Sequence, residues 1–375
     1  MISAPQPEAV EAGIEVLKAG GNLIDATVCA ALVQTAVDPQ MCGIAGFGNI
    51  QIFLPEKGVH TTFDFHGRAP KAVKSDIWES LIEREAEDGW GFILSGRENE
   101  FGYGSISTPR TLATLDTILN LYGTRSLKEL IQPAIEYCRN GVLIRPHMSS
   151  YWNMPATAGR DPNISMVNKF KETQKIYCDE SGLVKKVGDL LLNPDMGQLY
   201  QDIGNYGVNH FYSGEISQRI ILDMQKNGGL LAIEDLQECT PEEHPPLWGT
   251  FFDYKIATNN PPGGGVMLVE MLNILEEFDL KGMGHNSVEY IKVVSEVMKI
   301  ATIDKDTKVG DPKFTVVPTD QLTSKSYAKA HAEKIKRGDR AVVNRVNKGN
   351  PESKCTTQLV LADVSGNCVT MTHTL

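Results

Sequence analysis

The stretch Thr356-Thr357-Gln358-Leu359-Val360-Leu361-Ala362, with the turn Val364-Ser365-Gly366-Asn367 and the run Cys368-Val369-Thr370-Met371-Thr372-His373-Thr374-Leu375, decides the fold. A β-branched run, a glycine-bearing polar turn and an alternating second run predict an antiparallel hairpin. Just upstream, residues 340–355 are polar, basic and irregular. They end in Asn350-Pro351-Glu352-Ser353-Lys354-Cys355, which predicts an exposed loop. A loop running straight into a threonine-led strand is one layout in which threonine works as a nucleophile. Its hydroxyl is inert until a base takes the proton, and its own α-amine can do so once the preceding peptide bond is cut. On pattern alone the simpler account, two β-branched residues opening a strand, is preferred.

At the other end of the chain, residues 8–19 place Val10, Ile14 and Leu17 at helical spacing and stop at Gly20-Gly21, a C-cap signal. A second apolar helix is predicted over 24–37, with Asn22 and Asp25 at its start. The period then changes to two: Ile50, Ile52 and Leu54 alternate, Pro55-Glu56-Lys57-Gly58 supplies a turn, and Val59 to Phe65 returns as a strand. Strands at both ends with helices between predict that the two hairpins belong to one sheet system, closed where the chain ends meet. In the middle, Ser126 and Glu129 predict a capping box opening an amphipathic helix through Leu127, Leu130, Ile131, Ala134, Ile135 and Cys138. Further helices are predicted over 216–226, 266–278 and 287–301, the second opened by Pro261-Pro262-Gly263-Gly264-Gly265.

Composition narrows the function. The 375 residues carry a net charge of −11, 41% hydrophobic and 22% charged residues, as in an ordinary globular protein. No apolar run is long enough to span a bilayer. No basic stripe suits a nucleic acid, since phosphate binding requires one, and the cluster Lys334-Ile335-Lys336-Arg337 with Arg340 reads as a solvated helix end. The seven cysteines are scattered without a CxxC pair and read mostly as buried free thiols. The histidines show no ligand spacing, so no metal is expected. Asp304-Lys305-Asp306 lacks the glycine and closing glutamate of a calcium loop. Gly263-Gly264-Gly265 lacks the Lys-Ser/Thr of a phosphate loop. Gly102-Tyr103-Gly104-Ser105 is only half of a serine elbow. The first residues form no secretory signal, so the compartment as written is cytoplasmic, with a periplasmic or extracellular one open if the N-terminus has been clipped.

Several blocks, taken in order, carry a resemblance. They are Glu15 to Ala26 (EVLKAGGNLIDA), Gly43-Ile44-Ala45-Gly46-Phe47-Gly48, Asp64-Phe65-His66-Gly67-Arg68-Ala69-Pro70 and Met224 to Leu230 (MQKNGGL). Asn260 to Gly265 (NPPGGG), Gly310-Asp311-Pro312, Thr356-Thr357-Gln358 and Asp363-Val364-Ser365-Gly366-Asn367 follow. In this order the sequence resembles the γ-glutamyltranspeptidase family of N-terminal-nucleophile hydrolases over essentially its whole length.

The resemblance implies an α+β fold, an αββα sandwich, incomplete at the C-terminus. Residues 1–355 would be a helix-rich large-subunit region with a β-hairpin near 50–65, and residues 356–375 the first hairpin of a small subunit, together one domain. It implies autocleavage between Cys355 and Thr356, with Thr356 the processing and catalytic nucleophile and Thr374 the hydroxyl that bonds and tunes it. The implied activity is acyl transfer or hydrolysis of γ-glutamyl, glutathione-type amides, with no cofactor. The implied partners are a small-molecule amide and the small subunit from the same precursor, without nucleic acid or membrane.

Two departures qualify this. The family has arginine where His66 stands, gripping the substrate's α-carboxylate, and Arg68 follows two residues later. In an extended strand Arg68 would share that face about 7 Å further on. A shifted clamp suits a differently sized acid, so an oxamate-like or dicarboxylic acyl amide is the alternative substrate. Arg68 reads otherwise as a surface arginine in an ion pair, and His66 as a packed neutral histidine. The family's oxyanion hole lies beyond the position of Leu375, so little or no turnover is expected of residues 1–375 alone, and a non-catalytic degenerate member is a further alternative.

Overall fold

A computed structural model describes residues 1–87, 89, 91–343 and 356–375. Its strands run β1 (Ile2–Ser3), β2 (Phe47–Leu54), β3 (Val59–Phe65), a ribbon of β4 (Ile82–Glu85) and β5 (Phe92–Leu94), a short pair β6 (Val142–Leu143) and β7 (Leu190–Leu191), β8 (Glu242–His244), a ribbon of β9 (Leu247–Phe251) and β10 (Tyr254–Thr258), and finally β11 (Thr357–Ala362) and β12 (Cys368–Thr374). One sheet has the order β1-β11-β12-β2-β3-β8. The two hairpins read from the sequence therefore join directly, β12 pairing β2 antiparallel from Cys368↔Phe53 to Thr374↔Phe47. The N-terminus closes the sheet through Ile2↔Leu361 and Ser3↔Val360. Two residues are too few to show alternation, which is why β1 has no signal in the sequence.

The described chain divides into two compact units. The first holds Met1–Val59, Phe63–Glu242 and the C-terminal hairpin, and the second holds His60–Thr62 and residues 243–343.

In the first unit, α1 (Pro7–Lys18) and α2 (Leu23–Val37) pack on each other, and α2 packs on β11 and β12. Every α2 residue except Ala36 is buried, the mark of a helix apolar all round. Its start is set by a capping box: Asn22 Oδ1 accepts from the backbone N–H of Ile24 (2.9 Å) and Asp25 (3.0 Å), and Asp25 Oδ2 accepts from Asn22 N–H (2.8 Å). Asp25 also accepts from Thr124 N–H (2.8 Å), Thr124 Oγ1 (2.5 Å) and Arg125 N–H (3.1 Å). Burial raises its pKa, but these hydrogen bonds outweigh burial and hold the carboxyl below its ordinary value.

The helix predicted from Ser126 breaks in two, α4 (Leu127–Leu130) and α5 (Gln132–Asn140), after α3 (Thr111–Tyr122). Pro133 occupies the first turn of α5, where its missing N–H is tolerated only at a helix start. Ser126 Oγ accepts from Glu129 N–H at 3.3 Å, whereas the Glu129 carboxylate pairs with Arg125 (3.3 Å). Six cysteines are free, five of them buried and Cys368 half-buried; Cys355 lies outside the described residues.

The second unit has its own core, Ile274, Phe278, Val293, Val297, Ile300, Ala328 and Ala332. It lies among the helices Gly265–Leu275, Val288–Lys308 and Lys325–Lys336, the first of which starts at the predicted glycine cluster. Among the described residues no helix is long and apolar enough to cross a membrane.

Candidate active site

The turn of the C-terminal hairpin is held by Asp363 Oδ1, which accepts from Ser365 N–H (3.0 Å) and Asn367 N–H (3.1 Å), with Gly366 at φ 80°. From there β11 and β12 pair from Ala362↔Cys368 to Thr357↔His373. Paired residue numbers keep a constant sum along an antiparallel ladder. One step beyond the last pair, Thr356 stands across from Thr374. Side chains alternate: Thr357, Leu359, Leu361, Val369, Met371 and His373 are buried. Thr356 and Thr374 fall on the other face, Thr356 exposed and Thr374 half-buried.

Glycines let β2 approach this end of β12. A Cβ on Gly46 would stand 1.8 Å from Thr374 O, and one on Gly48 2.1 Å from Thr372 O. Gly46 O is itself held by the backbone N–H groups of Arg110 (2.9 Å) and Thr111 (3.0 Å).

On the inner face lies a buried polar network. Gln34 Nε2 donates to Thr357 Oγ1 (3.1 Å), Gln358 O (3.3 Å) and Gln6 Oε1 (2.7 Å). Gln34 Oε1 accepts from His373 Nε2 (2.9 Å), and Gln6 Nε2 donates to Asp38 Oδ2 (2.6 Å). Burial pushes the His373 pKa down to about 4. Burial also raises Asp38, an effect partly offset by Gln6, His147 and Arg145.

The His66-Gly67-Arg68 segment sits beside the same end of the sheet. Phe47, the cross-strand partner of Thr374, has its ring 6.3 Å from the His66 ring. The strand argument for Arg68 is corrected: β3 ends at Phe65. Asp64 Oδ1 accepts from both His66 N–H and His66 Nδ1, each at 2.9 Å, a side-chain turn that competes with the ladder. Arg68 N–H then donates to Thr108 Oγ1 (2.9 Å) and Thr108 N–H to Arg68 O (3.0 Å). The Arg68 guanidinium is bound to the Glu242 carboxylate, the ion-pair alternative that its sequence position allowed.

A second cation, Arg110, is buried behind it. Arg110 donates to His66 O (3.0 Å) and to Thr240 O, and lies 3.8 Å from Glu242. Burial and the Arg68 charge lower its pKa. Burial raises Asp64, but the His66 hydrogen bonds and the Arg110 charge bring the carboxyl below its usual value.

Register and packing thus bring Thr356, Thr374 and, through Phe47, His66 to one end of the sheet. Arg68 is near in sequence but engaged. Arg110, Glu242, Gln34 and His373 went unread in the sequence. The signal for the last two was a polar residue at an apolar position, Gln34 inside the apolar run of α2 and His373 in the Val369, Met371 series. Among the described residues no cluster of three or more His, Cys, Asp or Glu could hold a metal.

These features define an α+β protein with a threonine-headed hairpin inside its main sheet and two arginines nearby. The sequence profile of the γ-glutamyltranspeptidase family matches residues 9–375, and the chain belongs to that family. The glutathione hydrolase proenzyme of Escherichia coli (strain K12) is 30% identical over 100% of this chain and 62% of its own length. The acylase ACY 1 proenzyme of Pseudomonas sp. (strain V22) is also 30% identical, over 100% of this chain and 65% of its own length. The chain therefore spans less than two thirds of these curated relatives. The crystal structure of Helicobacter pylori γ-glutamyltranspeptidase superposes with a TM-score of 0.80 at 29% identity, covering 93% of this chain and 94% of that one.

Proposed function

We propose that the chain carries the nucleophile end of an amide-cleaving acyltransferase whose threonine, Thr356, is exposed by cleavage of the Cys355–Thr356 bond. The supporting observation is the register that sets Thr356 across from Thr374 on the face of the hairpin opposite its buried residues. In processing, Thr356 Oγ attacks the Cys355 carbonyl and its proton passes to the amide nitrogen. The C–N bond breaks, which frees the α-amine and leaves Cys355 as an ester on Oγ, and water hydrolyses that ester to the Cys355 carboxylate and the free hydroxyl. That amine then takes the hydroxyl proton as Oγ attacks a substrate amide. The C–N bond breaks, the proton leaves with the amine, and the acyl ester is resolved by water or by an amino acid or peptide amine. Thr374 donates a hydrogen bond that orients the nucleophile. The small subunit begins at Thr356 and folds with the large one.

The acyl group is γ-glutamyl, as in glutathione, the substrate named for the Escherichia coli relative. A second acid, oxamate-like or dicarboxylic, is favoured by one observation: His66 fills the family's arginine position, and the cations available are Arg68 and the buried Arg110.

The test uses the full-length protein on a denaturing gel, beside assays of γ-glutamyl, oxamate, glutaryl and succinyl amides. Conversion to two bands that Thr356→Ala abolishes, with turnover of one of these acids, is the expected result. A single band with Thr356→Ala turning over like the parent would overturn the proposal.

A further inference from the structure

Gln34 is the one side chain in the buried network that bonds both strands of the C-terminal hairpin. It projects from α2 with its carboxamide inserted beneath the final rung, Thr357↔His373. Its Nε2 holds the Thr357 hydroxyl and the Gln358 carbonyl on β11, and its Oε1 takes the Nε2 proton of His373 on β12. Gln34 and His373 are fully buried, and Thr357 is 3% exposed. A strand end frays unless it is tied. This end is tied to a buried helix at the rung next to Thr356 and Thr374.

The network is also specific in its polarity. A carboxamide oxygen can only accept, so His373 carries its proton on Nε2, and Nδ1 is left buried without a partner. An apolar residue at position 373 would fill the same space without an orphaned nitrogen, as Met371 and Val369 do one and two steps earlier on the same face. The stability of the sheet therefore does not require this arrangement, since an unpaired buried polar atom is a net cost. What it adds is a lateral constraint on two strands at one point.

We infer that Gln34, with His373 as its partner, is a positioning residue for the threonine pair: it fixes the spacing of β11 and β12 at the rung beside Thr356 and Thr374. The inference rests on Thr356 being the nucleophile. Attack requires reacting atoms about 3–3.5 Å apart, and displacement by about 1 Å can lower a rate about 100-fold. Loosening the last rung moves the nucleophile, and the acid-binding side chains stay where they are.

The experiment compares Gln34→Leu, Gln34→Leu/His373→Leu and Thr35→Val in the full-length protein, reading precursor cleavage, kcat, KM and the thermal midpoint. Thr35 is the adjacent α2 residue, and its buried hydroxyl bonds Tyr200 (2.6 Å) away from the hairpin. Gln34→Leu should lower cleavage rate and kcat at least about ten-fold with KM within about two-fold. The double variant, which removes the stranded His373 ring, should regain part of the midpoint but not kcat. Thr35→Val should lose midpoint and keep kcat. An unchanged kcat in Gln34→Leu, or a kcat that recovers together with the midpoint in the double variant, overturns the inference.

If Gln34→Leu does not fold, His373→Gln, which still donates to Gln34, should exceed His373→Leu in kcat about ten-fold, and equal values overturn it. Thr356→Ala separates the two claims. If it is as active as the parent, the nucleophile assignment fails. If it is inert while Gln34→Leu is fully active, only the positioning role fails.

Discussion

Gly46 lies so close to Thr374 that a Cβ on it would stand 1.8 Å from the Thr374 carbonyl oxygen. Retreat is blocked, because Gly46 O is held from behind by the N–H groups of Arg110 and Thr111. Gly46→Ala must therefore push the end of β12 outward. Overpacking of this kind costs about 1–3 kcal/mol, which a denaturant titration will read as a lower midpoint. Since the displaced residue is Thr374, precursor cleavage should slow by at least about ten-fold, measured on a gel time course. A normal cleavage rate in Gly46→Ala would separate Thr374 from processing.

Arg68 and Glu242 form an ion pair that is partly open to solvent, the side chains 45% and 28% exposed. Such pairs contribute about 0–1 kcal/mol, so a substrate carboxylate can displace Glu242. Glu242→Gln should lower KM for an acid-bearing amide by up to about five-fold, the equivalent of about 1 kcal/mol. Arg68→Ala should raise it by about ten-fold or more with kcat little changed. Steady-state kinetics on the γ-glutamyl and dicarboxylic amides checks both. If neither variant moves KM for any acid, Arg68 is not the clamp, and Arg110 becomes the residue to substitute.

Local rules carried most of the fold. Asn22 and Asp25 announce the start of α2, and the alternation of Ile50, Ile52, Leu359, Leu361, Val369 and Met371 marks both hairpins, because caps and period-two burial depend on neighbours in sequence. What depends on distant partners was not legible. The break before α5 is different, a local signal in which Pro133 overrides a good helical period. β3 ends at Phe65, where the sequence predicts its end, and only the extension of strand geometry to Arg68 failed. Arg110 looked like any arginine before a helix until the fold put the His66 and Thr240 carbonyls around it. Gln34 and His373 were visible only as polar residues in apolar series, and 339 positions separate them.

Asp25 tests how far α2 depends on its cap. It is buried and accepts from Asn22, Thr124 and Arg125. Asp25→Ala should destabilise the fold by about 3 kcal/mol or more, since hydrogen bonds to a charged group contribute about 1.5–3 kcal/mol each and their donors would be stranded. Its folded pKa is lowered, so its contribution is present above about pH 4, the unfolded carboxyl value, and is lost as pH falls through the folded one. Denaturant midpoints at pH 7 and pH 3 should differ less in Asp25→Asn than in the parent.

His373 sets a different acid limb. Burial lowers its pKa from 6.5 to about 4, so between these values the unfolded chain binds a proton that the folded one refuses. Stability from neutral His373 is complete above about pH 6.5, falls as pH drops toward 4, and levels off below. The full difference of about 2.5 units corresponds to about 3 kcal/mol. His373→Gln keeps the donor to Gln34 and cannot titrate, so its denaturant midpoint should fall less than the parent's between pH 7 and pH 4.5. Asp38, raised by burial, works with the opposite sign in this range but is present in both proteins and drops out of the comparison. Parallel pH profiles for the two would mean that His373 takes up its proton in the folded chain, and that its Nε2 contact with Gln34 does not depend on a neutral ring.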